Sequence, residues 1–259
     1  MPTRLHLTNA ELTLDDVGSG TPILLLHGFP ATRLLWKEVV PKLVGQGLRA
    51  IVPDLVGYGA STPHDGARVD MASQARWMWE LVEALGVERP VIVAHDVGSA
   101  AAQLMVISSP DRVRGLVVLD GVYAGEWAMD AVQSIRGWAP ADAHRLFPVL
   151  ARRLGKPELM REVLAAYAGE SGGRQLIRAA CDLDPGQTAH IGESLRASRV
   201  PALVLWGRDD RYLGLDTVAQ PLAKLLGAPL VLLPGGHFTP VDCPSEVSKA
   251  VRDFVSTLR

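Results

Sequence analysis

The residue of this sequence best placed to do chemistry is Asp96, which follows the apolar run 90–95 and precedes small residues suited to a helix. Ala94 and Gly98, two positions on either side of it, are also small. This order predicts a strand, a sharp turn with Asp96 at its apex, and a helix. A carboxylate there is a weak nucleophile towards esters but a competent one towards an sp3 carbon that bears a leaving group or belongs to a strained ring. The alternative is that Asp96 only caps the helix.

Three further motifs each follow an apolar run that predicts a strand. They are His27-Gly28, Gly207-Arg-Asp-Asp210 and Gly236-His237. Along the chain, the His27-Gly28 motif comes first, followed by the predicted turn at Asp96 and then by the other two motifs. This order of motifs resembles that of the α/β hydrolases, and the resemblance covers essentially the whole chain. It implies a triad of Asp96 as nucleophile, Asp210 as acid and His237 as base, and an oxyanion hole formed by the backbone N–H groups of Phe29 and Val97. Asp120, at the end of the predicted strand 113–119, is the alternative acid.

An aspartate at the apex resembles the branch of α/β hydrolases that contains epoxide hydrolases and haloalkane dehalogenases. Haloalkane dehalogenases typically hold the halide with side chains at the positions that Phe29 and Val97 occupy, and fluoroacetate-type enzymes carry an arginine just after the nucleophile, where this chain has none. The resemblance therefore favours a small, mainly apolar epoxide, protonated by Tyr123 or Tyr167 or by water. Ile177 stands where one lid tyrosine is expected.

Two other functions stay open at this stage. A haloalkane or haloacid dehalogenase would use the same triad with a halide as the leaving group. A non-catalytic homologue would bind a small apolar ligand, although a complete triad argues against it.

The hydrophobic pattern predicts an α/β fold with a mostly parallel, doubly wound sheet. Strands are expected at 22–26, 49–52, 90–95, 113–119, 200–206 and 230–233, after an N-terminal hairpin, and helices at 220–226 and from Pro244 onwards. Between 122 and 199 helical patterns replace the strand-helix alternation. We therefore expect a core domain of 1–121 and 200–259 and a helical lid of 122–199.

Ligands of doubly wound folds bind at the carboxyl ends of the strands, so the substrate pocket is expected there. The aromatic and imidazole side chains expected to line it are His27, His95, Trp36, Tyr123, Trp127 and Tyr167. The chemistry that the resemblance implies needs neither a metal nor an organic cofactor.

Composition limits the partners. The 259 residues are 48% hydrophobic with a formal net charge of -2, which indicates neither nucleic acid nor an anionic membrane as a partner. The first residues lack the apolar segment of a signal peptide, so the cytoplasm is the expected location. Two cysteines are too few for a disulfide framework. A small molecule is the expected partner, and a homodimer stays open.

Overall fold

The computed structural model describes residues 2–151 and 156–258. Within them nine strands form a single sheet in the order β1-β2-β4-β3-β6-β7-β8-β9, and β5 pairs with β2 beside this series. From β4 to β9 neighbouring strands run parallel, whereas β2 is antiparallel to its partners. The strands are β1 Thr3–Leu7, β2 Ala10–Gly18, β3 Thr21–Leu26, β4 Leu48–Pro53, β5 Thr62–Pro63, β6 Val91–His95, β7 Gly115–Leu119, β8 Ala202–Gly207 and β9 Leu230–Leu233.

Helices cover the sheet in at least two groups, because α2 packs against α3 and α1 packs against α11. The central strands β6, β7 and β8 are therefore buried along their whole length, which explains their continuous apolar sequences. The helices are α1 Val40–Val44, α2 Met71–Ala84, α3 Gly98–Ser108, α4 Met129–Arg136, α5 Leu146–Ala151, α6 Pro157–Leu164, α7 Gly169–Asp182, α8 Gly192–Ala197, α9 Gln220–Leu226, α10 Thr239–Asp242 and α11 Pro244–Thr257.

The segment 122–199, here called the helical insertion, lies between β7 and β8. Its described residues contain α4 to α8 and contribute no strand to the sheet. The insertion lies against the loop after β3, where the Thr32 hydroxyl donates to the Val163 carbonyl at 3.1 Å. It also lies against the start of α2, where the Met71 N–H donates to Gln187 at 3.0 Å. None of the described helices combines the length and the apolar composition that a membrane-spanning helix requires.

Candidate active site

Asp96 occupies a tight turn between β6 and α3. Its backbone φ is +50°, a conformation that residues other than glycine rarely adopt. Glycines make this turn possible, because a Cβ atom on Gly28 would lie 2.4 Å from the Asp96 Cβ and one on Gly98 would lie 2.3 Å from the His27 carbonyl oxygen. The sequence-predicted strand, turn and helix are thus present, and the strained apex displays the Asp96 side chain.

The two carboxylate oxygens of Asp96 have different surroundings. Oδ1 accepts the Val97 backbone N–H at 2.6 Å, and Oδ2 lies 3.7 Å from the His237 Nε2. Val97 is itself the N-cap of α3, so this bond does not involve the N2 or N3 N–H groups that a capping side chain accepts, and capping also does not account for a histidine beside the second oxygen. Phe29 follows Gly28, whose backbone lies against Asp96. Roles of the Val97 and Phe29 N–H groups in binding an oxyanion stay predictions.

His237 lies on the loop between β9 and α10 and is held by Asp210. Its Nδ1 lies 2.9 Å from Asp210 Oδ2, and Asp210 Oδ1 in turn accepts the backbone N–H groups of Tyr212 and Leu213 at 2.8 and 3.1 Å. The predicted contact between Asp210 and His237 is therefore confirmed. Burial lowers the pKa of His237, but the hydrogen bond to Asp210 and the negative charges of Asp210 and Asp96 outweigh burial and raise it well above 6.5.

A cavity of about 330 Å³ opens over these groups. Core residues form its floor and the helical insertion forms the opposite wall. Among its described lining residues, the titratable side chains are those of Asp96, Tyr212 and His237. None of these lining residues is Arg or Lys. The lining residues are Phe29, Pro30, Asp96, Val97, Trp127, Ala128, Met129, Val132, Ser134, Ile135, Trp138, Leu146, Leu150, Tyr212, His237 and Phe238.

A family model described as "alpha/beta hydrolase fold" matches residues 21–166, which is more than half of the chain. This chain belongs to the α/β-hydrolase fold family. Sequence and structure relatives agree with this assignment, but their names cover several reactions.

Two curated relatives are each 28% identical to this α/β hydrolase. One is the 2-hydroxy-6-oxo-2,4-heptadienoate hydrolase of Pseudomonas putida, with 95% of this chain and 93% of the relative covered. The other is a fluoroacetate dehalogenase of a Burkholderia species, with 96% and 92% covered. A solved structure from Pseudomonas aeruginosa, a mutant of a "putative epoxide hydrolase", is 25% identical with a TM-score of 0.78, covering 99% of this chain and 96% of that one.

Five of the six side chains predicted for the pocket of this α/β hydrolase do not line the cavity over Asp96, and that part of the prediction is wrong. Only Trp127 lines it, and its indole N–H donates to the Thr188 hydroxyl at 2.9 Å. The two histidines form internal hydrogen bonds, while Trp36, Tyr123 and Tyr167 pack elsewhere.

His27 and His95 are fully buried supports of the backbone. The Leu55 N–H donates to His27 Nε2 at 2.9 Å, which joins the end of β3 to the loop after β4. Burial lowers the pKa of His27. His95 Nε2 donates to the His237 carbonyl at 2.7 Å. Burial, followed by the charge of His237, lowers the pKa of His95 to about 4, so His95 is a neutral support for the His237 loop.

The three remaining aromatic residues have other contacts. Trp36 is completely buried in the core. The Tyr167 hydroxyl donates to the Ala31 carbonyl at 3.1 Å. The Tyr123 hydroxyl lies against Gly192 in α8, where an added Cβ would approach it to 2.9 Å. The lid tyrosines expected to protonate an epoxide are therefore absent from this cavity.

Tyr212 and Trp138 line the cavity but were not among the predicted pocket residues. The Tyr212 ring centre lies 5.1 Å from that of His237. Its sequence signal was the position two residues after the predicted acid, on a loop that had to approach His237. Trp138 follows α4, and nothing in its local sequence distinguishes it from the other tryptophans.

Asp120, the alternative acid, bonds to other groups than His237. Its Oδ1 accepts the Gly207 N–H and its Oδ2 accepts the Thr239 hydroxyl, each at 2.5 Å. Asp120 thus joins the end of β7 to the end of β8 and the start of α10. Burial raises its pKa to about 8. Among the described residues, no cluster of three or more His, Cys, Asp or Glu side chains could hold a metal ion.

Proposed function

We propose that this α/β hydrolase opens a small, mainly apolar epoxide through a covalent ester on Asp96. The observation that carries the proposal is the carboxylate at the strained turn, in an apolar cavity, with His237 Nε2 3.7 Å from its free oxygen and Asp210 behind His237. A carboxylate so placed suits attack on an electrophilic sp3 carbon.

In the first step, Asp96 Oδ2 forms a bond to an epoxide carbon while the bond from that carbon to the ring oxygen breaks. The ring oxygen takes a proton from the imidazolium of His237, which lines the cavity and is left neutral. The raised pKa of His237 supports the imidazolium as the donor in this step. The product of the step is an alkyl ester on Asp96 with a neighbouring hydroxyl group.

The second step hydrolyses this ester. Formation of the ester removes the negative charge of Asp96, so the pKa of His237 falls and more of His237 is the neutral imidazole that can accept a proton. It takes a proton from water as the water oxygen attacks Cγ, and the oxyanion forms on Oδ1 against the Val97 and Phe29 N–H groups. The bond from Cγ to Oδ2 then breaks, and the alkoxide takes the proton that the new carboxyl group loses.

The cavity supports a neutral substrate. Fluoroacetate and heptadienoate, named for the two curated relatives, are carboxylates, and a buried carboxylate needs a cationic partner. None of the described lining residues is Arg or Lys. We further propose that the helical insertion is a lid domain, since it supplies the apolar wall that faces Asp96, including Trp127, Met129 and Trp138.

Dehalogenation is the second candidate. It is favoured by Trp138, because an indole in the cavity can donate its N–H to a departing halide, and by the relative named as a dehalogenase. It is disfavoured at Phe29 and Val97, whose side chains have no N–H to hold a halide.

A matched pair of substrates separates the two reactions. The enzyme is given a short-chain terminal epoxide and the bromoalkane of the same carbon skeleton, and diol and bromide are measured. We expect diol from the epoxide and no turnover by Asp96→Ala enzyme. Bromide release without diol would replace the proposal by dehalogenation. If neither is turned over while apolar ligands still bind, the chain is a binding protein.

A further inference from the structure

The last strand, β9, forms an edge of the sheet with unusually little protection. Its sequence Leu-Val-Leu-Leu carries no charge, and the exposed fractions of Val231 and Leu232 are 39% and 38%. β1, at the opposite edge, carries Arg4 and His6. Because an open apolar edge invites pairing with another strand, natural proteins usually protect such edges with charges, bulges or covering elements.

Hydrogen bonds to β8 show which backbone groups of β9 face outwards. The Pro229 carbonyl accepts from Val204 N–H and the Leu233 carbonyl from Arg208 N–H, so the odd-numbered residues of β9 bond to β8. Successive residues of a strand direct these groups to opposite sides. The N–H and C=O groups of Leu230 and Leu232 therefore face away from the sheet.

The open part of this edge has a sharp limit at each end. The next outward position towards the N-terminus is Ala228, whose N–H donates to the Ala223 carbonyl at 2.9 Å. The next one towards the C-terminus is Pro234, which has no N–H. An added strand can therefore bond to two outward N–H groups, those of Leu230 and Leu232, which lie two residues apart. A second copy of β9 has the same two groups at the same spacing.

We propose that two copies of this chain form a dimer in which their β9 edges pair antiparallel around a two-fold axis at Val231. Leu230 of each copy exchanges both backbone hydrogen bonds with Leu232 of the other, which gives four bonds. Val231 faces its own symmetry mate in a pair without hydrogen bonds, where the Cα atoms approach to about 4.5 Å. Such a self-complementary patch is what a two-fold dimer requires.

Four residues bury too little surface for a stable dimer, which typically needs about 800 Å² per partner. The adjacent groove between β9 and α11 extends the surface that a second copy can cover. Val231, Leu233 and Phe254 give it apolar walls. The groove is also lined by Glu246 and by the ion pair of Lys249 with Asp253, so two copies do not present a single repelling charge.

The test introduces charge at the axis. Val231→Lys and Val231→Glu each place like charges opposite each other in the dimer, whereas a mixture of the two places opposite charges there. The matched control is Val17→Lys on β2, since Val17 has an exposed fraction of 41% but lies far along the sheet order from β9. Mass is measured by light scattering at about 100 μM, where a complex with a micromolar Kd is almost fully assembled.

We expect the wild type and Val17→Lys to have twice the 27.8 kDa chain mass, each Val231 variant to have the single mass, and their mixture to regain the double mass. In the wild type, the Leu230 and Leu232 amides should exchange hydrogen slowly, and in Val231→Lys these two should become fast while Val231 and Leu233 stay slow. A monomeric wild type, or Val231 variants that stay dimeric, would overturn the proposal. Restored mass in the mixture shows that both variants fold.

Discussion

At the scale of single residues, Asp210 and Asp120 both lie near the loop that carries His237, but they hold different atoms. Asp210 contacts the imidazole itself, while Asp120 holds the Gly207 backbone and the Thr239 hydroxyl. A carboxylate on Nδ1 orients the imidazole and stabilises its charged form, which is the role of a triad acid.

We therefore expect Asp210→Asn to lower turnover by about 10⁴-fold, the loss that an analogous change causes in a serine protease. The matched control is Asp120→Asn, whose amide can still accept from Gly207 and donate to Thr239, so turnover should stay close to that of the wild type. Steady-state turnover rates of the two variants show which of the two carboxylates is the triad acid. If Asp120→Asn is the more damaging change, the acid has been assigned to the wrong carboxylate.

The charge of Asp96 should be measurable at His237. Two carboxylates raise the pKa of the imidazole against the effect of burial, so removal of one must lower it. We expect the pKa of His237, followed by NMR, to be lower in Asp96→Asn than in the wild type. Since the ester is likewise neutral, hydrolysis of the alkyl-enzyme should speed up as pH rises through the lower pKa. An unchanged His237 pKa in Asp96→Asn would show that the two groups are not coupled.

The triad residues could be predicted from the sequence because each lies in a short motif beside a strand. The pocket residues could not, because the same residue types serve both packing and binding. The sequence around Trp127 and that around Trp36 give no sign of which residue faces the substrate. In the structure, Trp127 lines the cavity and Trp36 is buried in the hydrophobic core. Which of them faces the substrate depends on how the insertion packs, and no local pattern encodes that.

At the scale of elements, the turn between β6 and α3 depends on close approach of the β3 loop to the start of α3. We expect Gly98→Ala to destabilise the fold by about 1–3 kcal/mol, since its Cβ would lie 2.3 Å from a backbone oxygen that has little freedom to move. Gly45→Ala is the control, because its Cβ would meet its nearest atom at 3.7 Å. Denaturant unfolding measures both, and equal midpoints for the two variants would contradict the tight packing at the turn.

Elements with an apolar or amphipathic pattern were predictable, and short elements without such a pattern were not. Strand 230–233 and helix 220–226 have the predicted bounds because proline, glycine and apolar spacing mark their ends. The two-residue β5 and the four-residue α10 were missed. β5 exists through pairing with Ala10 and Glu11 of β2, a tertiary contact that a two-residue sequence cannot signal.

At the scale of the whole molecule, the fold does not determine the reaction. Relatives that align over nearly the full chain are named for hydrolysis of a dienoate and for removal of fluoride from an acetate. The reaction must therefore be inferred from the site: a carboxylate at the apex, a histidine in contact with a second carboxylate, and an apolar cavity lined in part by the helical insertion.

The measurement that tests the central claim most directly follows the oxygen of water. In a single turnover in heavy-oxygen water, with enzyme in excess over epoxide, water attacks the ester carbonyl, so one labelled oxygen should remain on Asp96. Mass spectrometry of the peptide that contains Asp96 should show the label, and the first diol should carry the original light oxygen. Label in the first diol and none in the protein would mean direct attack by water, and Asp96 would then be a base or a helix cap instead of the nucleophile.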